Sequence, residues 1–188
     1  MEEKFKKIKI SLFVILFGVF LRIFLNKALN FPNFEPITSL SLLSGFYLGG
    51  NFSFFVPLAM ISLSDIYFGN NLIFLFTWSG FVLIGIFGRI FAKRKNRSFF
   101  LLTFLGIGSV LFFYLWTNFG WWLLTDMYEK NLLGILKCYF YALPFLKNQL
   151  LSVIIFTPIF SYFFKWSLFS TAKEKVIFFK KAYDSFRS

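Results

Sequence analysis

The chain has 188 residues, 58% hydrophobic and 24% aromatic, with a formal net charge of +12. A soluble domain carries roughly 45–50% apolar residues, so the surplus has to face something other than water, and lipid is the simplest answer; the 33 phenylalanines belong to that surplus and are not read as individual functional groups. With no histidine, one cysteine (Cys138) and no GxxxxGK[ST] phosphate cradle, the sequence excludes zinc sites, His-based general base catalysis, an internal disulfide and ATP hydrolysis by this chain.

A spanning helix needs roughly 20 mostly apolar residues, and six segments qualify as candidates. The first covers residues 10–29. It is too long for the apolar core of a signal peptide, carries Arg22 and is followed by no small-residue cleavage site, so it reads as a retained helix. The second, residues 37–50, is short. It would need local bilayer thinning or a protein-lined cavity. Small residues at Ser41, Gly45 and Gly49 recur every four positions along it, a spacing that lets helices approach closely. Gly49-Gly50-Asn51 then signals a tight turn. The third to fifth candidates cover residues 52–68, 72–92 and 99–123. Residues 132–146 are apolar but few, with Lys137 in the middle and Pro144 near the end. They read as an interfacial or re-entrant segment, a seventh span being the alternative. The sixth candidate covers residues 148–164. Beyond a transmembrane domain of residues 1–166, the tail 167–188 reads as a basic amphipathic helix: Thr171 and Glu174 form a possible capping box, and Val176, Phe179, Tyr183 and Phe186 share a face. It would lie on the inner leaflet or dock a cytoplasmic partner.

The basic residues sit in blocks between the apolar segments. Fifteen Lys and Arg lie in the N-terminal tail, the fourth connection (Arg89 to Arg97) and the C-terminal tail, against four on the opposite side. The excess belongs in the cytoplasm, which puts both termini there in a six-helix, all-α bundle of a cell (inner) membrane. It also makes nucleic acid an unneeded partner for the charge.

Scarce polar groups then gather toward the outer face. Arg22 should pair with a carboxylate, for which Glu35 and Asp65 are the candidates, bind an anion, or snorkel to the headgroups. Asp65 closes the third segment after Ser64 and either faces a ligand or simply ends a helix in water. The connection Asn30-Phe31-Pro32-Asn33-Phe34-Glu35-Pro36 is stiffened by two prolines. It offers Asn33, Phe34 and Glu35 as a lid, or it is only a rigid turn. Thr117 and Asn118 stand among Trp116, Trp121 and Trp122. Interfacial anchoring accounts for the tryptophans, whereas the amide needs another helix or a ligand. A mostly apolar pocket with a few placed polar groups is the usual form of a small-molecule site. The expected substrate-binding set is therefore Arg22, Asn33, Phe34, Glu35, Asp65, Thr117, Asn118 and Trp121. No catalytic residue, metal ligand or cofactor is expected, because no paired carboxylates or nucleophile–base pair is evident.

At PNFEPITSLSLLSGFYLG (32–49), VPLAMISLSDIYFG (56–69), LWTNFGWWL (115–123) and YALPFLKNQLL (141–151) the chain resembles a family of uncharacterised bacterial membrane proteins. These are similar in size and layout to the substrate-binding S components of energy-coupling-factor transporters. The resemblance implies a six-helix bundle that binds a vitamin-like nutrient at its outer face, with a membrane coupling subunit and paired ATP-binding-cassette ATPases as partners. It implies that residues 32–36 gate the pocket and that Asp65 and Asn118 line it. The AxxxA pattern common on the first helix of S components is absent here, where Ser11 and Gly18 are the small residues. A stand-alone secondary carrier would more often show internal repeats and midplane charges. A scaffolding or assembly protein would need no ordered pocket.

Overall fold

A computed structural model of the chain describes residues 2–28, 30–69, 71–92 and 98–168. Among these residues there are seven α-helices and no strand: α1 (Glu2–Ala28), α2 (Ile37–Tyr47), α3 (Phe52–Phe68), α4 (Phe74–Phe91), α5 (Phe99–Leu124), α6 (Leu132–Tyr141) and α7 (Leu143–Leu168). Four of them, α1, α4, α5 and α7, are long and apolar enough to cross a membrane, and α2, α3 and α6 are shorter. These are the helices of a multi-pass membrane protein. Their outward faces carry large exposed apolar side chains such as Leu16, Phe20, Phe100 and Phe104. A surface of that kind needs an apolar surrounding.

The short second helix is the centre of the molecule. Ten of the eleven residues of α2 are buried, and α1, α3, α4, α5 and α7 all pack on it. At about 1.5 Å per residue it is roughly 16 Å long, half the hydrocarbon thickness. Of the two ways for such a helix to sit in a membrane, it takes the protein-lined one. Glycines set how closely its neighbours approach. A Cβ on Gly45 would lie 1.8 Å from the Gly85 carbonyl oxygen of α4, and one on Gly88 would lie 2.0 Å from that of Leu42. The small-residue spacing therefore serves helix packing at Gly45. Gly49 instead takes a positive φ of 64°, followed by Gly50 at 53°, and together they form the expected turn into α3.

A polar seam joins α2 to α7. Gln149 Nε2 donates to Thr38 Oγ1 (2.9 Å), Ser39 and Thr157 share a hydrogen bond (2.9 Å), and Tyr47 and Ser161 share another (2.7 Å). Without such pairing these buried hydroxyls and the amide would be costly in an apolar interior. Ser41 Oγ is the one buried side-chain polar atom without a partner among the described residues.

Contacts between elements define two poles. At one, Lys6 Nζ donates to the Leu168 carbonyl (3.1 Å) and the Lys165 ammonium sits 3.9 Å from the Phe99 ring centroid. The first and last described helices thus meet there, together with Arg89, which reaches the Gly50 carbonyl (3.4 Å). At the distal pole Asn148 Nδ2 donates to the Pro32 carbonyl (2.9 Å).

The stretch 132–146 is not one segment. α6 runs antiparallel along the last third of α5: Tyr139 Oη donates to Leu115 O (3.0 Å), Cys138 Sγ to Asn118 O (3.5 Å), and Trp122 Nε1 to Glu129 O (2.9 Å). Asn131 starts α6, its side chain accepting from the Gly134 amide (2.8 Å), which satisfies a donor the helix start leaves open. The helix ends at Tyr141 with Ala142 as its C-cap, and α7 begins at Leu143, five residues earlier than expected. Pro144 lies in the first turn of α7, where a missing N–H costs nothing. α1 likewise begins at Glu2, so Lys4, Lys6, Lys7 and Lys9 are helical rather than a free tail. The amphipathic segment expected beyond residue 167, with Thr171, Glu174 and its aromatic face, lies outside the described residues. So do residues 93–97 of the basic connection.

Candidate functional site

Seven of the eight expected site residues fall into two separate centres at the distal pole. The first is an ion cluster. Arg22, on α1, sends Nε to Glu35 Oε2 (2.7 Å) and Nη1 to Asp65 Oδ1 (2.7 Å). Nη1 also donates to Ser64 Oγ. The second oxygen of Asp65 accepts from Trp78 Nε1 of α4 (2.7 Å), and the guanidinium lies 5.1 Å from the Phe68 ring centroid. The side chains of Arg22, Glu35 and Asp65 are only 16%, 8% and 11% exposed. At such burial an unpaired charge costs several kcal/mol, so pairing rather than snorkelling decides the arginine's position. The cluster carries two carboxylates against one guanidinium. It ties α1, the 30–36 connection, α3 and α4 together, and Ser152 of α7 fixes the connection further by donating to the Glu35 carbonyl.

The second centre is a cavity of about 460 Å³. Asn33 enters it from the 30–36 connection, Ile73 from the start of α4, and Thr117, Asn118 and Trp121 from α5. Met127 and Tyr128 come from the α5–α6 connection, Cys138 and Tyr141 from α6, and Ala142 and Phe145 from the junction with α7. Positive φ at Asn30 (47°) and Asn33 (61°) turns the connection here; asparagine tolerates that conformation better than most residues. On α5, Thr117 Oγ1 donates to Phe113 O (2.8 Å) and Asn118 Nδ2 to Tyr114 O (2.8 Å). The amide thus finds one partner within its own helix, and its Oδ1 keeps no donor among the described residues. Burial pushes the Cys138 thiol up from its ordinary range, leaving it protonated at neutral pH and a poor nucleophile.

Of the eight expected residues, Asn33, Thr117, Asn118 and Trp121 line the cavity. Arg22, Glu35 and Asp65 do not; they satisfy one another in the cluster. Phe34 turns away from both, packing on Phe31 and on Phe156 of α7 (centroids 5.5 and 5.6 Å). Sequence reasoning missed Trp78 in the cluster, and Tyr128, Cys138, Tyr141 and Phe145 in the cavity. The latter four flank or occupy the stretch 132–146, whose interrupted apolar pattern was the available signal. A second cavity of about 330 Å³, between α4 and α5, is lined by apolar residues and Ser109. Ser109 Oγ already donates to Leu105 O (2.8 Å), so that groove offers no chemistry.

Residues 2–176 match the model of a family of unknown function, DUF6580, and the chain belongs to that family. No curated protein and no solved structure matches it.

Proposed function

We propose that this member of DUF6580 is the membrane-embedded binding subunit of an uptake system for a small, vitamin-like nutrient, with ATP hydrolysis supplied by partner subunits. The cavity at the distal pole carries this reading. Its volume falls within the range of small-molecule sites, and its wall is mostly apolar and aromatic with a few polar groups, the usual composition of such a site. The lack of any phosphate cradle in the sequence and the resemblance to S components support it. On this reading α1 to α5 and α7 make six crossings of the cell membrane, with α2 and α3 as a shorter pair inside the bundle. The basic terminal pole faces the cytoplasm and the cavity faces out.

A coupling subunit with paired ATPases is the partner this reading requires. Its docking face is not the small-residue stripe of α1. Ser11 and Gly18 are buried within the chain, and a Cβ on Gly18 would lie 2.7 Å from Met60 Sδ.

The test is purification from native membranes, with mass spectrometry of small molecules released on denaturation and of co-purifying proteins. The expected result is one retained compound and an ATP-binding-cassette pair. A well-folded preparation with neither contradicts the reading and favours a scaffolding or assembly role.

A further inference from the structure

We infer that the cavity takes an uncharged, planar ring compound carrying an amide or lactam edge; this rests on the cavity being the binding site. Charge is the first argument. No Lys, Arg, Asp or Glu lines the cavity. The charges of the distal pole are committed elsewhere. Arg22, Glu35 and Asp65 pair with one another outside the cavity wall, and the Lys130 ammonium donates to the carbonyls of Trp122, Leu123 (3.3 Å) and Thr125 (2.5 Å). There it caps the negative end of α5. Asp126, Lys137 and Lys147 are exposed and do not line the cavity. An ionised ligand would give up part of its hydration for a wall that offers no counter-charge, which is unfavourable.

Shape is the second argument. Trp121, Tyr128, Tyr141 and Phe145 are the ring side chains of the wall. Tyr128 and Tyr141 lie nearly parallel, 16° apart with centroids at 6.5 Å. A flat ring can stack on such a surface, whereas a cation cage needs ring faces converging on one point.

Unused hydrogen bonds are the third argument. Trp78, Trp116 and Trp122 donate their indole N–H to Asp65, Ser79 and Glu129. Trp121 has no acceptor among the described residues, and neither does the Asn33 amide have a partner. The Asn118 side-chain oxygen Oδ1 accepts from no donor among the described residues. Carboxamides present donor and acceptor side by side, and so pair with an amide or lactam edge in two-point fashion.

Three probes share one ring and differ in charge: nicotinamide (neutral), nicotinate (anionic) and 1-methylnicotinamide (cationic). Binding to the purified full chain is read by tryptophan fluorescence and by thermal shift. Nicotinamide should bind at least about tenfold more tightly than either charged probe, and should lose that advantage in Asn118→Ala and in Trp121→Phe, which keeps the ring but removes the N–H. Asn33→Asp, at an exposed position with no hydrogen bond to break, should move the preference toward the cation. Nicotinate or the cation binding as well as nicotinamide, with the same loss in N118A, overturns the substrate class and leaves the cavity as a binding site. If none of the three binds while the protein still releases a retained compound, the class is again wrong and the site stands. If none binds and nothing is released, both readings are overturned.

Discussion

Arg22 holds two carboxylates, and that imbalance sets what each substitution at the cluster does. Arg22→Met leaves Glu35 and Asp65 buried without a cation, and should cost roughly 3–5 kcal/mol in equilibrium unfolding in mixed micelles. Glu35→Gln or Asp65→Asn leaves the guanidinium with one carboxylate and lowers the cluster's charge from −1 to zero. Each should cost less, about 1–3 kcal/mol for the lost charge-assisted bond. Equal losses for all three would mean that the cluster is not closed as described. The sequence made Arg22 and its two candidate partners legible, because a lone arginine inside an apolar run must be paired or exposed. Which outcome applied was not legible. It depends on Glu35 and Ser64–Asp65 arriving from two other elements, and on Trp78, whose indole N–H finds Asp65 only once α4 has packed. The same closure removes Arg22, Glu35 and Asp65 from the cavity wall they were expected to share with Asn118.

Between helices, glycine decides the spacing. Gly45→Ala would drive a methyl into the Gly85 carbonyl of α4, backbone against backbone, where no rotamer can yield. It should cost at least roughly 3 kcal/mol, above the usual range for overpacking, and should reduce the yield of monodisperse protein. Gly108→Ala meets no atom within 4 Å. It should be neutral or stabilising by up to about 1 kcal/mol through helix propensity. The Ser41–Gly45 spacing could be read from the chain alone, although its partner glycines on α4 could not. The α2–α7 seam was invisible for a different reason. Thr38, Ser39, Gln149, Thr157 and Ser161 are ordinary helix residues singly, and become a ladder only when the two helices face each other. Interhelical hydrogen bonds in membranes average about 0.6 kcal/mol, so this ladder fixes register more than it adds stability. The break at Ala142 escaped the sequence reading because 132–146 is apolar on both sides of it. Pro144, near the end of that stretch, lies in the first turn of α7.

At the scale of the whole molecule, the account needs a terminal pole inside the cell and a cavity open to the outside. The all-helical class and the long apolar helices followed from composition and run length, which lipid imposes on any sequence. The proposed orientation rests on the distribution of lysine and arginine alone, and the bundle contributes one further constraint: Lys6 and Leu168 meet at the same end. The most direct measurement is labelling with a membrane-impermeant maleimide in intact cells. Cys138 is buried, with its thiol held protonated, so its background reaction should be slow. Met127→Cys, at the cavity and 65% exposed, should label in intact cells, and Lys4→Cys should label only after the membrane is permeabilised. Labelling of Lys4→Cys in intact cells, with Met127→Cys protected, would place the cavity on the cytoplasmic side and contradict a role in capturing nutrients from outside.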